Sequence, residues 1–162
     1  MKLISDFRIL LLGLWLGAAC FFSFAVAPSA FSVLPSRELA GSLVNKTLAI
    51  VNYGGVVIGL ILLAGSYISR ENVSRVRLWT EQGALLLIAG ACAFGQFIIA
   101  PRLSGLRGQI GRPIDELAVD DSLRVAFNDL HGYSVTILMT AMIAAVIAFF
   151  LIVRRARNTI NS

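Results

Sequence analysis

Four apolar stretches, each long enough to cross a bilayer, constrain this chain more than anything else in it. They run from about Ile9 to Val33, Thr47 to Ser69, Leu78 to Ala100 and Gly132 to Val153. A hydrocarbon core of about 30 Å takes about 20 residues of helix. Backbone polar groups in lipid must also be satisfied within the segment, which favours helices over irregular chain. The expected fold is therefore all-α, an integral membrane four-helix bundle occupying residues 1–162 as a single transmembrane domain. Composition argues the same way: 57% of the 162 residues are hydrophobic, 14% are charged, and mean hydropathy is +0.82. An average soluble domain carries roughly 25% charged residues. A water-soluble domain is excluded, and so is a disordered chain.

The one long connection, from Arg102 to His131, reads as a Gly-rich loop followed by an amphipathic helix before the fourth span. Pro113 suits a first helical turn, with Asp115 and Glu116 near its positive end. Val119, Leu123, Ala126, Phe127 and Leu130 then recur on one face. Such a helix either lies at the interface or runs straight on into the fourth span.

The net charge of +5 resolves into a topology signal. Lys2, Arg8, Arg70, Arg75, Arg77, Arg154, Arg155 and Arg157 fall on one side of the spans, with only Asp6, Glu71 and Glu81 to offset them. The other side balances six basic residues, Arg37, Lys46, Arg102, Arg107, Arg112 and Arg124, with six acidic ones. Basic residues near span ends favour the cytoplasm, so both termini are expected there, in a bacterial inner membrane. No nucleic-acid partner is needed to explain the basic balance; the expected partner is the lipid bilayer. The N-terminus imitates a signal peptide, but Pro28 follows Ala25-Val26-Ala27 where cleavage tolerates proline worst, and Gly17-Ala18-Ala19-Cys20 is a poor lipoprotein site. The first helix is expected to be retained.

Aligned with itself at an offset of 73, the chain pairs Gly17–Pro28 with Gly90–Pro101, and six of twelve positions are identical. The second and fourth helices share little beyond Gly54 and Gly132. The expectation is a duplicated helical hairpin, with two parallel repeats related by an axis along the membrane normal. Gly13/Gly17, Gly55/Gly59 and Ala91/Gly95 are small-xxx-small pairs, which allow close helix approach and fit either interior packing or a homo-oligomer face. Pro28 and Pro101 come where a proline stops or kinks a helix.

Polar residues within the spans gather toward the side away from the termini. Ser23, Asn52, Tyr53, Gln96, His131 and Ser134, with Thr136 beside them, fall at similar depth, whereas the other halves read as almost purely apolar. Such side chains turn inward and pair with one another or mark a ligand path. This layer, with Asn128 and Asp129 at its mouth, is the candidate binding site; interhelical hydrogen bonding alone is the competing explanation. His131, the only histidine, is the one candidate metal or haem ligand. A single histidine per chain does not supply bis-histidine ligation without a second subunit. Copper would want more Met, Cys or His than the chain offers. Cys20 and Cys92 lie within apolar spans and read as buried free thiols. There is no P-loop, HExxH, GxSxG or Rossmann fingerprint, so no enzymatic activity is expected and no cofactor is implied.

Several of these residues carry a family likeness. Trp15-x-Gly17 with the Phe-rich stretch to Pro28 and Phe31, Ala40-Gly41, Gln96 with Pro101, and Phe127-x-x-Leu130-His131-Gly132-x-Ser134 resemble the transmembrane protein 205-like family. That resemblance implies a small four-helix membrane protein, and a eukaryotic member is linked with resistance to and export of platinum drugs. The family is also similar to copper-resistance-D-like proteins and to four-helix haem-binding protoporphyrinogen oxidases. It points to Gln96, His131 and Ser134 as positions to carry over. Members often have an Asn shortly after that Ser, where this chain has Ile137, Leu138 and Met139. Three functional classes stay open: a non-enzymatic protein that binds or passes a small ligand or metal complex; an accessory subunit of a larger respiratory or photosynthetic type complex; and a haem-binding redox protein centred on His131.

Overall fold

In the computed structural model, which describes residues 2–68 and 74–158, all regular structure is helical. Ser69, Arg70 and Glu71, used above for a span end and for the charge balance, lie outside the described residues. The chain forms four long rods. α1 covers residues 2–33, α2 is Arg37–Ile68, α3 covers residues 75–110, and α4 is Ser122–Asn158. Within them Leu3–Val33, Arg37–Tyr67, Arg75–Ile110 and Ser122–Arg155 are long and apolar enough to cross a membrane. A 31-residue helix is about 46 Å long, so each rod extends past a hydrocarbon core of about 30 Å into the polar interface. That is why the helices outrun the apolar stretches that announce them.

Both α1 and α3 pack against α2 and α4, which places α1 and α3 on one diagonal of the bundle. The two termini share one end, here the terminal end; the α1–α2 and α3–α4 connections share the other, the far end. Leu12, Leu62, Leu85, Ile88 and Ile152 are fully buried along the axis, while Leu14, Phe24, Ile50 and Phe150 project outward. An apolar core inside an apolar surface is the arrangement lipid demands.

The duplication is written into the geometry. Arg8, Leu12, Trp15, Ala19, Phe22 and Ala30 are the buried residues of α1, and each has a buried counterpart in α3: Glu81, Leu85, Ile88, Cys92, Gly95 and Leu103, at the offset of 73. Each rod also widens into a single π-helical turn at the same register, Phe22–Val26 in α1 and Gly95–Ile99 in α3. Pro28 and Pro101 follow these turns. Proline lacks an N–H and crowds the preceding turn, and the wider turn absorbs this, so both helices continue past the proline to Val33 and Ile110 instead of stopping. In α2 and α4 the buried pattern matches at an offset of 86, pairing Asn52 with Leu138, Gly55 with Ala141, Gly59 with Ala145 and Ser66 with Ile152. Gly54 and Gly132 are not equivalent positions. The longer second connection shifts the register.

That connection differs from the sequence expectation. Residues 102–110 are helical, and α3 ends at Gly111, whose φ of +63° is open to glycine and whose N–H donates to Arg107 O. Pro113 introduces only a short 3₁₀ turn, Ile114–Glu116. The next helix begins where Asp121 Oδ1 accepts from Leu123 N–H at 2.8 Å, a side-chain N-cap that Pro113 does not provide. From Ser122 the chain runs straight into the fourth span, so the amphipathic segment is the first part of α4. Of its proposed face, Phe127 is buried and Leu123 and Leu130 are half-buried, but Val119 precedes the helix and is exposed.

Candidate functional site

The six residues singled out by sequence occupy three settings. Ser23, His131 and Ser134 line one groove at the far end, of about 400 Å³, bounded by α1, α2, α4 and Leu103 of α3. Its walls include Phe22, Phe24, Phe31, Leu138, Met139 and Met142. Gln96 and Ser134 line a second space of about 330 Å³ between α2, α3 and α4, with Lys46, Pro101 and Ser104. Asn52 and Tyr53 line neither. Asn52 is buried against α3, where a Cβ on Gly95 would stand 3.4 Å from its Nδ2. Tyr53 faces outward and meets the ring of Phe97 edge-on at 5.9 Å.

The π turns build these grooves. Widening the helix at Phe22–Val26 brings Phe22, Ser23 and Phe24 onto the first groove, and the matching turn brings Gln96 onto the second. Ser23 Oγ donates to Met142 Sδ at 3.8 Å, which ties α1 to α4 across the groove floor. His131 is exposed at the mouth and stacks parallel on Phe127, one turn earlier in α4, with centroids 6.4 Å apart. The Arg107 guanidinium lies 5.4 Å from the centre of the same Phe127 ring, a cation–π contact that fixes α3 to α4. Among the described residues, no three His, Cys, Asp or Glu side chains converge as a metal site would need.

Two residues absent from the sequence-level site belong to it. Asn45 lines both grooves and Lys46 the second. Both fall just before the apolar stretch that starts at Thr47, but α2 begins ten residues earlier, at Arg37, where Ser36 Oγ accepts from Leu39 N–H. The helical register from Ser36 is the signal that finds them.

The terminal end corrects a stronger expectation. It is not purely apolar: Arg8, Glu81 and Arg155 are 3%, 0% and 7% exposed. Arg8 Nη2 donates to Glu81 Oε1 at 2.5 Å and to Leu62 O at 3.2 Å, while Arg155 Nη1 lies 3.5 Å from Glu81 Oε2. Beside them Gln82 Nε2 donates to the buried Ser66 Oγ, which donates in turn to Leu63 O. One carboxylate thus ties α1, α3 and α4 together, and Arg8 adds α2. These charges look like topology signals because they flank apolar runs, where basic side chains usually snorkel to the interface. The offset of 73 is the clue: it makes Arg8 and Glu81 repeat equivalents, which meet across the diagonal between α1 and α3.

Comparison with known proteins adds a family and no activity. Over 98 residues the chain is 36% identical to an uncharacterized protein of Aquifex aeolicus (strain VF5), covering 60% of this chain and 67% of that one. No solved structure matches it. The model of a domain of unknown function, DUF4149, matches residues 10–112, the greater part of the chain from α1 through α3. With most of its length, both π turns and the whole of the second groove's α3 wall inside that match, this four-helix membrane protein belongs to the DUF4149 family.

Proposed function

We propose that this is a non-enzymatic integral membrane protein that holds a small lipophilic molecule in the far-end groove between α1, α2 and α4. The observation that carries this reading is the groove's make-up. Its volume, about 400 Å³, falls within the roughly 300–1,000 Å³ of small-molecule sites. Aromatic and methionine walls offer an apolar bed, and Ser23, Asn45, His131 and Ser134 supply a few polar contacts to orient a ligand. The closed terminal half favours holding over conduction in this conformation, since Leu12, Leu62, Leu85, Ile88 and Ile152 fill it above the buried charges. The resemblance to the transmembrane protein 205-like family, with its link to drug export, supports a ligand-handling role.

The far end is assigned to the outer leaflet and both termini to the cytoplasm. Setting aside Arg8, Glu81 and Arg155, the terminal side still carries Lys2, Arg70, Arg75, Arg77, Arg154 and Arg157 against Asp6 and Glu71. That excess keeps the orientation argument intact.

Mass spectrometry of protein released intact from detergent micelles tests the groove. Wild type extracted from native membranes is expected to carry a lipophilic adduct. Val135→Trp, which places an indole in the groove from its exposed rim, should lose the adduct while keeping its helix content. Leu14→Trp, on the outward surface elsewhere, should keep it. Equal adduct in wild type and Val135→Trp rules the groove out as the site.

A further inference from the structure

The two far-end spaces are copies of one site. At the repeat offset, Ser23, Ala27, Pro28 and Phe31 of the first correspond to Gln96, Ala100, Pro101 and Ser104 of the second. They also touch, because Asn45, Leu48, Leu103 and Ser134 line both. The copies have diverged in chemistry. The first is walled by aromatic and methionine side chains; in the second, Phe31 has become Ser104, Ser23 has become Gln96, and Lys46 joins them from α2. Among the described residues no carboxylate lies within ion-pair distance of Lys46. Lys46 is exposed, one residue before the apolar stretch that starts at Thr47, so its ammonium stands at the interface, where an anionic head can meet it. Snorkelling alone gives no reason for Asn45, Gln96, Ser104 and Ser134 to gather round the same space.

From this juxtaposition we infer that the ligand is an anionic amphiphile: its hydrocarbon body lies in the Phe-lined groove and its carboxylate or phosphate head in the adjoining groove against Lys46, Asn45 and Gln96. The inference rests on the groove reading above and names the chemistry of its ligand. An uncharged head would forgo the charge-assisted contact that Lys46 offers. A second hydrocarbon chain would not suit a space lined by four polar side chains and a cation. The same head chemistry comes from a membrane phospholipid or from a free fatty acid, and the test separates the two.

Delipidated full-length protein in a neutral detergent is offered two equimolar pairs, dilauroyl phosphatidylglycerol with dilauroyl phosphatidylcholine, and laurate with monolaurin. Retention is read by mass spectrometry of the intact complex. The anionic member of at least one pair should be retained about tenfold over its partner, the factor one charge-assisted hydrogen bond carries. The pair that discriminates names the source. Lys46→Gln should bring the ratio to about one without reducing retention of the uncharged partner. Equal retention within both pairs, or a preference that survives Lys46→Gln, overturns the headgroup assignment and leaves the groove standing. Retention of no amphiphile at all overturns both.

Discussion

Glu81→Gln should destabilise the bundle by about 3–5 kcal/mol, the usual consequence of removing one partner from a buried ion pair. The substitution leaves Arg8 and Arg155 as two like charges in a site where both are at least nine-tenths buried. Buried within the bundle, neither has water to fall back on. For a chain of this length the loss amounts to roughly 10 °C or more in thermal midpoint, read by far-UV circular dichroism in detergent. The companion experiment is the triple substitution Arg8→Met, Glu81→Leu, Arg155→Met. Replacing a whole buried charge cluster with packed apolar side chains is often neutral or stabilising, so the triple variant should melt near or above wild type. A Glu81→Gln variant as stable as wild type would show that the cluster is not what joins α1, α3 and α4.

Gly55→Ala should be the most damaging single-methyl insertion in the helix interfaces. A Cβ there would overlap Cys92 Sγ and stand 2.9 Å from Trp15 Cζ2. Neither neighbour yields easily. Cys92 is buried in α3, and the indole of Trp15 is pinned by donation from Nε1 to Val51 O at 2.9 Å. Overpacking of this kind costs about 1–3 kcal/mol. Pairing it with Cys92→Ala should recover part of the loss, and the recovered fraction measures the coupling between α2 and α3. Gly17→Ala is the control: nothing lies within 4 Å of its Cβ position, so it should be neutral or slightly stabilising through helix propensity. The two motifs thus differ in kind. Gly55/Gly59 is an interior seam, with Gly59 against the backbone of Ala89, whereas Gly17 faces outward.

Four helices were legible because apolar length is the strongest signal a membrane chain carries, and the hairpin duplication because Phe21, Phe24 and Ala27-Pro28 recur in the second copy. Helix ends were less legible. In α1 and α3 the π turns let the chain continue past proline, and neither a hydropathy pattern nor a proline rule anticipates a wider turn. At α4 the helix start is a matter of local capping: Asp121, not the expected Pro113, opens it through a single side-chain hydrogen bond. The polar residues of the far end were found as types, but their grouping was not: Asn52 and Tyr53 share the depth of Ser23 and Gln96 and point elsewhere. Azimuth round a helix depends on packing, and one apolar surface looks like another when lipid replaces water. The buried charge cluster was hidden for the opposite reason, since Arg8, Glu81 and Arg155 sit where charges are expected for topology.

The bundle opens into a shared groove at its far end, which we propose faces outward, and is sealed at its terminal end. Cysteine accessibility in intact cells tests it most directly, on a background carrying Cys20→Ala and Cys92→Ala. Ser134→Cys, on the wall common to both grooves, should react with a membrane-impermeant maleimide added from outside; Ser66→Cys, beside the buried charges, should react from neither side. Labelling of Ser66→Cys as readily as Ser134→Cys, or of Ser134→Cys only after the cytoplasmic side is exposed, would contradict the account.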